Sequence, residues 1–260
     1  MLVMVLGRME HDVARLSEVH LYQGNRCNRA CSFCTVRGCP SGWFAEHEPR
    51  ALKLASRLVE PEGIIKIYGG EPTIEPEATE RVMRALRDLG FCGELIIFSN
   101  GDLAPELIRL LDAAPPSSAF MNFSVWTGRD VEPISEASRA ILNEYEAANP
   151  GSIIPGHEEY YASGRAASVA LETRPECPRC MPAIVPDGRV HACPFAVERD
   201  HPALWLGDAD TDPDVVIRRV HQFLDWIAGP HADLACELGV DPCAVCERHL
   251  HALCPPPFAG

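Results

Sequence analysis

Positive charge is scarce in this sequence. Lysine and arginine together number 23 against 37 aspartates and glutamates, which gives a formal net charge of −14 at pH 7. Nucleic acids and anionic membrane surfaces are bound mainly through clusters of basic side chains. The charge balance therefore argues against a nucleic-acid-binding protein and against a protein that docks on anionic membranes.

The chain also lacks a long apolar run and a basic N-terminal region. No apolar stretch approaches the roughly 20 residues that span a bilayer. The apolar residues 1–6 lack the positive flank of a signal peptide, and Arg8, Glu10 and Asp12 soon follow. We therefore expect a cytoplasmic protein, in which the twelve cysteines serve metal binding or catalysis. A secreted, disulfide-rich protein is the alternative.

Three of these cysteines fall within eight residues. Cys27, Cys31 and Cys34 are spaced C-x3-C-x2-C, and Phe33 precedes the last of them. Thiolates are the usual ligands of iron–sulfur clusters. Since a [4Fe–4S] cluster has four irons, three cysteines leave one iron open to a substrate or cofactor, and Phe33 would shield the cluster from water. A zinc knuckle, or three thiols without metal, is the alternative, but zinc usually takes four protein ligands and favours C-x2-C pairs.

This octet closely resembles the signature of radical S-adenosylmethionine (SAM, also written AdoMet) enzymes. The resemblance implies that the open iron binds the amino and carboxylate groups of SAM. It also implies that an electron from the cluster cleaves SAM to methionine and a 5′-deoxyadenosyl radical, which abstracts hydrogen from a substrate C–H bond. The expected electron donor is a flavodoxin or ferredoxin.

A second motif follows a strand predicted over residues 63–68. Gly69 and Gly70 allow the backbone to approach a ligand closely, and the carboxylate of Glu71 can accept hydrogen bonds from an ammonium group. In radical SAM enzymes a GGE motif at the end of the second strand contacts the amino group of SAM, and these residues match it. A plain strand-to-helix turn is the alternative.

Strands and helices alternate four times in the first 148 residues. The predicted strands are 18–23, 63–68, 94–98 and 119–125, and the predicted helices are 48–60, 76–89, 105–114 and 133–148. This alternation is typical of an α/β fold with a parallel sheet. The radical SAM fold, a partial (β/α)6 barrel, fits this order. Because no sixth repeat is visible, we expect a barrel over residues 1–172 that is shortened, or completed by the C-terminal region.

Polar residues follow the third and fourth predicted strands. Ser99, Asn100 and Ser124 stand where relatives contact the ribose or carboxylate of SAM, so the resemblance implies that they bind this cofactor. Turn formation or capping is the alternative.

Seven more cysteines lie in the last 84 residues, namely Cys177, Cys180, Cys193, Cys236, Cys243, Cys246 and Cys254. Asp187-Gly188 lies between two apolar segments, which predicts a hairpin that brings Cys180 near Cys193. A helix containing residues 215–227 follows. The region thus combines a hairpin, a helix and the close pair Cys243-x2-Cys246.

This arrangement resembles the SPASM and Twitch domains appended to many radical SAM enzymes. Gly188-x4-Cys193 matches their first half, and Cys243-x2-Cys246 matches their second. The resemblance implies an auxiliary [4Fe–4S] cluster in residues 173–260, with Cys193, Cys243, Cys246 and either Cys177 or Cys180 as ligands. A second auxiliary cluster is not favoured, because the later SPASM run C-x2-C-x5-C-x3-C is absent. A structural zinc site is the alternative.

The sequence is therefore identified as a radical SAM enzyme with an auxiliary cluster. That cluster would accept an electron from the substrate radical or orient the substrate. Only 26 residues precede Cys27, too few for the peptide-recognition domain of many peptide-modifying relatives. This favours a small-molecule substrate such as a sugar or aminocyclitol, oxidised or epimerised. The main alternative is modification of a ribosomally made peptide or a protein side chain. The third hypothesis is a non-enzymatic zinc-binding protein. The oligomeric state stays open.

Overall fold

The computed structural model describes residues 14–32, 34–114, 119–122, 134–155, 177, 181–195, 197–199 and 201–249. Eight strands of this part form one sheet. They are β1 (Leu16–Tyr22), β2 (Val59–Tyr68), β3 (Glu94–Ser99), β4 (Ala119–Asn122), β5 (Ile153–Pro155), β6 (Ala183–Ile184), β7 (Val190–His191) and β8 (Trp205–Gly207).

Within the described ranges, seven α-helices connect or follow these strands. They are α1 (Pro49–Leu58), α2 (Pro76–Asp88), α3 (Ala104–Ala113), α4 (Glu136–Ala148), α5 (Pro213–Trp226), α6 (Ala232–Leu238) and α7 (Pro242–Arg248). Most begin with proline in the first turn, where the missing N–H costs no hydrogen bond. Three N-termini are capped by a side chain that accepts a backbone N–H, those of α4, α5 and α7.

The strands run in the order β5-β4-β3-β2-β1-β6-β7-β8. Pairing is parallel from β5 to β6 and antiparallel only in the terminal β6-β7-β8 meander. Among the described residues, β5 and β8 do not pair with each other, so the sheet is open. The predicted α/β class and unclosed, mostly parallel sheet are therefore confirmed.

The two faces of the central strands are different. Val19 and Leu21 of β1, like Ile65 and Ile67 of β2, are fully buried in the main core with the helices. Successive residues of a strand point to opposite faces, so Glu18, His20 and Tyr22 lie on the other face. There Tyr22 and Tyr68 join a smaller cluster with Val36, Ala183, Val185 and Val197.

The C-terminal region enters the same sheet through the predicted hairpin. β6 pairs in parallel with β1, with His20 opposite Ala183 and Leu21 opposite Ile184. Gly188 has a φ of 91° in the hairpin turn, a backbone conformation that glycine adopts without strain. The candidate strand at 168–172 lies outside the described residues. No described helix is long and apolar enough to cross a membrane.

Candidate functional site

The chain segments that follow β1, β2 and β3 meet at one edge of the sheet. In a parallel sheet the carboxyl ends of neighbouring strands lie side by side. Tyr22 is in register with Tyr68, so the cysteine loop after β1 lies against Gly69 and Gly70 after β2. Asn100, after β3, completes this edge. The cysteine loop, Gly69, Gly70 and Asn100 are thus brought together at this edge.

Gly69 and Gly70 allow two backbone segments to lie in direct contact. The N–H of Gly70 donates to the carbonyl of Gly24 at 2.7 Å, and the N–H of Glu71 donates to that of Arg26 at 2.8 Å. A Cβ on Gly70 would lie 1.9 Å from the carbonyl oxygen of Arg26. Both glycines therefore fix the cysteine loop to the end of β2. Their contact with SAM stays a prediction.

Glu71 is buried at the centre of this edge, with 2 % of its surface exposed. Its Oε1 accepts hydrogen bonds from the backbone N–H of Thr73 (3.1 Å), the hydroxyl of Thr73 (2.6 Å) and the hydroxyl of Ser99 (2.9 Å). Its Oε2 accepts from the N–H of Asn100 at 2.7 Å. Burial raises the pKa of this carboxyl, while the hydrogen bonds act in the opposite direction. The carboxylate thus joins the ends of β2 and β3.

Backbone N–H groups donate to two of the three thiols in the cysteine loop, those of Cys27 and Cys34. Cys27 is buried, and Cys31 and Cys34 are half-buried. The N–H of Arg29 donates to the sulfur of Cys27 at 3.4 Å, and that of Gly38 donates to the sulfur of Cys34 at 3.1 Å. Burial, together with the nearby carboxylate and thiols, raises the pKa of Cys27 to about 12.

This donor set fits an iron–sulfur cluster. N–H groups that point at sulfur stabilise a thiolate and orient it as a ligand, and metal binding deprotonates a thiol despite its raised pKa. No three His, Cys, Asp or Glu side chains of the described ranges are arranged around a single metal ion. A [4Fe–4S] cluster takes each thiolate on a different iron, so its ligands need not meet at one ion.

A salt bridge that sequence reasoning missed ties the cysteine loop to β3. Arg29 donates through Nε to Oδ2 of Asp102 at 2.6 Å, and through Nη2 to Oδ1 of the same residue. Asn28 also donates to Asp102, at 2.9 Å, and accepts from Asn100 at 2.7 Å. The side chains of Arg29 and Asp102 are only 11 % and 24 % exposed. Their positions in two separate loops give no signal in the sequence.

A second group of thiols is assembled from distant segments. We call Cys177, Cys193, Cys243 and Cys246 the C-terminal thiol group. Cys243 and Cys246 lie one turn apart on α7, and Cys193 follows β7. Burial raises the pKa of both helix thiols, and the nearby thiols of Cys193 and Cys177 raise it further. Cys193 and Cys177 are therefore close enough to Cys243 and Cys246 to act on them electrostatically.

Two further side chains approach this group, and sequence reasoning did not assign them. Nε2 of His231 lies 3.2 Å from the sulfur of Cys246, and His231 is 1 % exposed. The guanidinium of Arg199 is close enough to the thiols of Cys246, Cys193 and Cys243 to interact with them electrostatically. The neighbouring Glu198 accepts hydrogen bonds from Tyr22 and Asn25. One short segment thus links the C-terminal thiol group to the start of the cysteine loop.

Some sequence-predicted site residues fall outside the described ranges. They are Phe33, Ser124 and Cys180. Ser99 and Asn100 lie at the predicted edge, and the hydroxyl of Ser99 is engaged by Glu71. The amide of Asn100 lies 3.8 Å from the sulfur of Cys27, which places this residue beside the cysteine loop.

Residues 21–143 match the family model described as the radical SAM superfamily. Among solved structures, BtrN in complex with AdoMet and 2-DOIA aligns with a TM-score of 0.52 and 15 % identity, covering 82 % of this chain and 92 % of that one. A histidine-tagged anSMEcpe with bound AdoMet aligns with a TM-score of 0.53 and 13 % identity, covering 81 % and 82 %. At these identities the likeness establishes the fold alone. No curated protein matches the sequence.

Proposed function

We propose that this chain, in which residues 21–143 match the radical SAM superfamily model, oxidises or epimerises a small molecule such as a sugar or aminocyclitol. The reaction would begin with reductive cleavage of SAM and abstraction of hydrogen from a substrate C–H bond. The observation that carries the proposal is the presence of two separate thiol groups linked through one sheet.

The first thiol group would hold the SAM-cleaving cluster. Cys27, Cys31 and Cys34 are its ligands in this proposal, and the bound [4Fe–4S] cluster would supply the electron that cleaves SAM. The chain's own residues fix the geometry around it. Glu71 holds the ends of β2 and β3 together through four hydrogen bonds, and Arg29 holds the cysteine loop against Asp102.

The C-terminal thiol group would hold one auxiliary [4Fe–4S] cluster. Cys193, Cys243 and Cys246 are three ligands, and Cys177 or Cys180 is the fourth. The proximity of Cys177 to the two helix thiols supports Cys177. His231 and Arg199 would then act on the cluster from outside, since donors near cluster sulfurs stabilise added negative charge.

A small-molecule substrate is supported by the shared fold. BtrN, whose fold this chain shares, is seen with AdoMet and 2-DOIA together. A fold of this kind therefore accommodates a small molecule beside SAM. An auxiliary cluster near the substrate would accept one electron, which suits an oxidation.

Iron and sulfide counting tests the proposal directly. We expect about eight irons per chain after anaerobic reconstitution, and about four in a variant with Cys27→Ala, Cys31→Ala and Cys34→Ala, because each cluster holds four. Dithionite-dependent release of 5′-deoxyadenosine from SAM should disappear in that variant. About four irons in the wild type and none in the variant would refute the auxiliary cluster.

A further inference from the structure

Three ionisable side chains occupy the sheet face that is turned away from the helices. Glu18 and His20 alternate on β1, and Lys66 on β2 lies directly opposite His20 in the pairing register. We call these three residues the polar triad. The neighbouring positions on β1, Val19 and Leu21, are buried in the main core. The chain thus places charge on one face of strands whose other face is apolar.

The members of the polar triad are bonded to one another. Nε2 of His20 lies 2.6 Å from Oε1 of Glu18, and Nζ of Lys66 lies 2.8 Å from Oε2. The side chains are only 10 %, 20 % and 18 % exposed for His20, Glu18 and Lys66. Burying charges is costly unless they are paired. Glu18 and Lys66 neutralise each other here, so the triad carries no uncompensated charge.

The pairing fixes the protonation of His20. Burial opposes the charge on Glu18, but His20 and Lys66 outweigh it and lower the pKa of this carboxyl to about 2. An ionised carboxylate only accepts hydrogen bonds, so the proton must sit on Nε2 of His20. Burial lowers the pKa of His20, which keeps the ring neutral. Its Nδ1 is therefore an acceptor, and no described residue donates to it.

Aromatic rings connect the triad to the cysteine loop and to the segment that carries Cys193. The His20 ring packs edge-on against Tyr68 with centroids 5.5 Å apart, and lies 6.3 Å from the ring of Phe98. Cys34 and Phe98 pack against the cluster that contains Tyr68. The hydroxyl of Tyr68 donates to the carbonyl of Pro194 at 2.9 Å, next to Cys193. The triad therefore lies on the same sheet face as the aromatic cluster against which Cys34 packs.

We propose that the polar triad binds the substrate, and that Nδ1 of His20 accepts a hydrogen bond from a hydroxyl or amino group of a small, uncharged or cationic polyhydroxylated ring. This proposal rests on the proposed function, which identifies the bound ligand as the substrate. The faces of Tyr68 and Phe98 would pack against the C–H groups of the ring. The charge of Lys66 is already compensated by Glu18. We therefore expect no preference for a substrate that carries a phosphate or carboxylate.

Two substitutions of His20 separate this role from a structural one. His20→Gln retains a donor near the position of Nε2, so it keeps the contact with Glu18 but loses the acceptor at Nδ1. His20→Asn places an acceptor near Nδ1 but loses the contact with Glu18. A purely structural triad would tolerate Gln better than Asn, whereas a binding role at Nδ1 requires the reverse.

The probes are 2-DOIA, myo-inositol and inositol 1-phosphate, titrated calorimetrically into reconstituted protein with SAM and without reductant. We expect 2-DOIA or myo-inositol to bind the wild type, His20→Gln to weaken binding at least about tenfold, and His20→Asn to stay within about threefold, since a lost hydrogen bond typically weakens binding by about that order. Iron content and SAM affinity should be the same in all three proteins, which controls for folding.

Several results would overturn the inference. These are failure of both 2-DOIA and myo-inositol to bind the wild type, unchanged affinity in His20→Gln, or tighter binding of inositol 1-phosphate than of myo-inositol. The proposed function fails separately, if the reconstituted wild type does not release 5′-deoxyadenosine with dithionite. Binding and SAM cleavage are measured independently, so the two failures are distinguishable.

Discussion

The two thiol groups of this chain are built in opposite ways. Cys27, Cys31 and Cys34 lie in one loop, and their spacing alone brings them together. The C-terminal thiol group comes from a segment before β6, the loop after β7 and the helix α7. A local group can be recognised from spacing, whereas a distributed group depends on the whole tertiary structure. The comparison also indicates that each group affects stability differently.

The first group is held in place by contacts of its loop, whereas the second packs against the main core. Backbone contacts at Gly70 and the Arg29–Asp102 pair hold the cysteine loop at the edge of the sheet. Cys177 and Cys193 instead pack against the main core, and Cys243 is 7 % exposed. We therefore expect loss of the first group to abolish chemistry and loss of the second to weaken the fold.

The largest effect should come from the second group. Cys243→Ala with Cys246→Ala should lower the free energy of unfolding of the reconstituted protein by more than about 4 kcal/mol, because it removes both the metal and buried thiols. The variant with Cys27→Ala, Cys31→Ala and Cys34→Ala should lose less than half as much free energy of unfolding. Anaerobic chemical denaturation measures both. Equal losses would contradict the contrast between the two groups.

A graded pair of glycine substitutions tests how closely the first group depends on backbone contact. A Cβ on Gly70 would lie 1.9 Å from the Arg26 carbonyl oxygen, whereas a Cβ on Gly38 would lie 3.2 Å from Cβ of Cys27. We expect Gly70→Ala to lower the free energy of unfolding by about 3 kcal/mol, because the added methyl group overpacks the contact. The same change should weaken SAM binding. Gly38→Ala should cost less than about 1 kcal/mol. Thermal denaturation measures the stability of the two variants, and titration measures their affinity for SAM. A larger loss in Gly38→Ala than in Gly70→Ala would contradict the role of the close backbone contact.

The Arg29–Asp102 pair should contribute a smaller amount. Asp102→Asn turns an amide donor towards the guanidinium or towards Asn28, so we expect a loss of about 2 kcal/mol in the free energy of unfolding. Iron retention by the cysteine loop should also fall. The matched control is Glu106→Gln, which breaks an exposed pair with Arg109 and should cost less than about 0.5 kcal/mol. Similar losses in the two variants would show that the buried pair has no special role.

The smallest effect concerns Glu18, which belongs to neither thiol group. Its folded pKa is lowered from 4.5 to about 2, so its stabilising effect is present above about pH 4.5 and disappears as the pH falls towards 2. His20 and Lys66 contact it directly, and these two side chains in turn contact Tyr68 and Phe98. The free energy of unfolding of the metal-free wild type should exceed that of Glu18→Gln by about 1–2 kcal/mol at pH 6. The two values should be equal near pH 2. A difference that does not change with pH would contradict the ion-paired state.

Much of the fold could be predicted from the sequence, because the repeats have clear periodicity. Helices α1 to α3 lie within one or two residues of their predicted bounds. β2 begins at Val59, earlier than the predicted residue 63. The sequence does not predict these first residues as strand, because Pro61 and Gly63 are unfavourable in strands. The pairing of β2 with β1 carries a bulge where the register shifts.

The candidate site was only partly predictable. The loop cysteines and Glu71 follow recognisable spacings, but Arg29–Asp102 joins two loops that are distant in sequence. The polar triad left one signal that reasoning did not use. Glu18 and His20 alternate with apolar residues on a strand whose neighbours in the sheet are parallel, and parallel strands are usually apolar on both faces. Charged residues at that period indicate a functional face.

The position of β1 has a consequence for how the chain is made. One side of this strand pairs with β2, but the other pairs with β6, which begins only at Ala183. A ribosome delivers residues in order at roughly 5–20 per second, so β1 waits many seconds with one edge bare. Bare strand edges recruit strands from other chains. The yield of folded protein should therefore depend on how quickly translation reaches Ala183, and on chaperones that cover the edge until then.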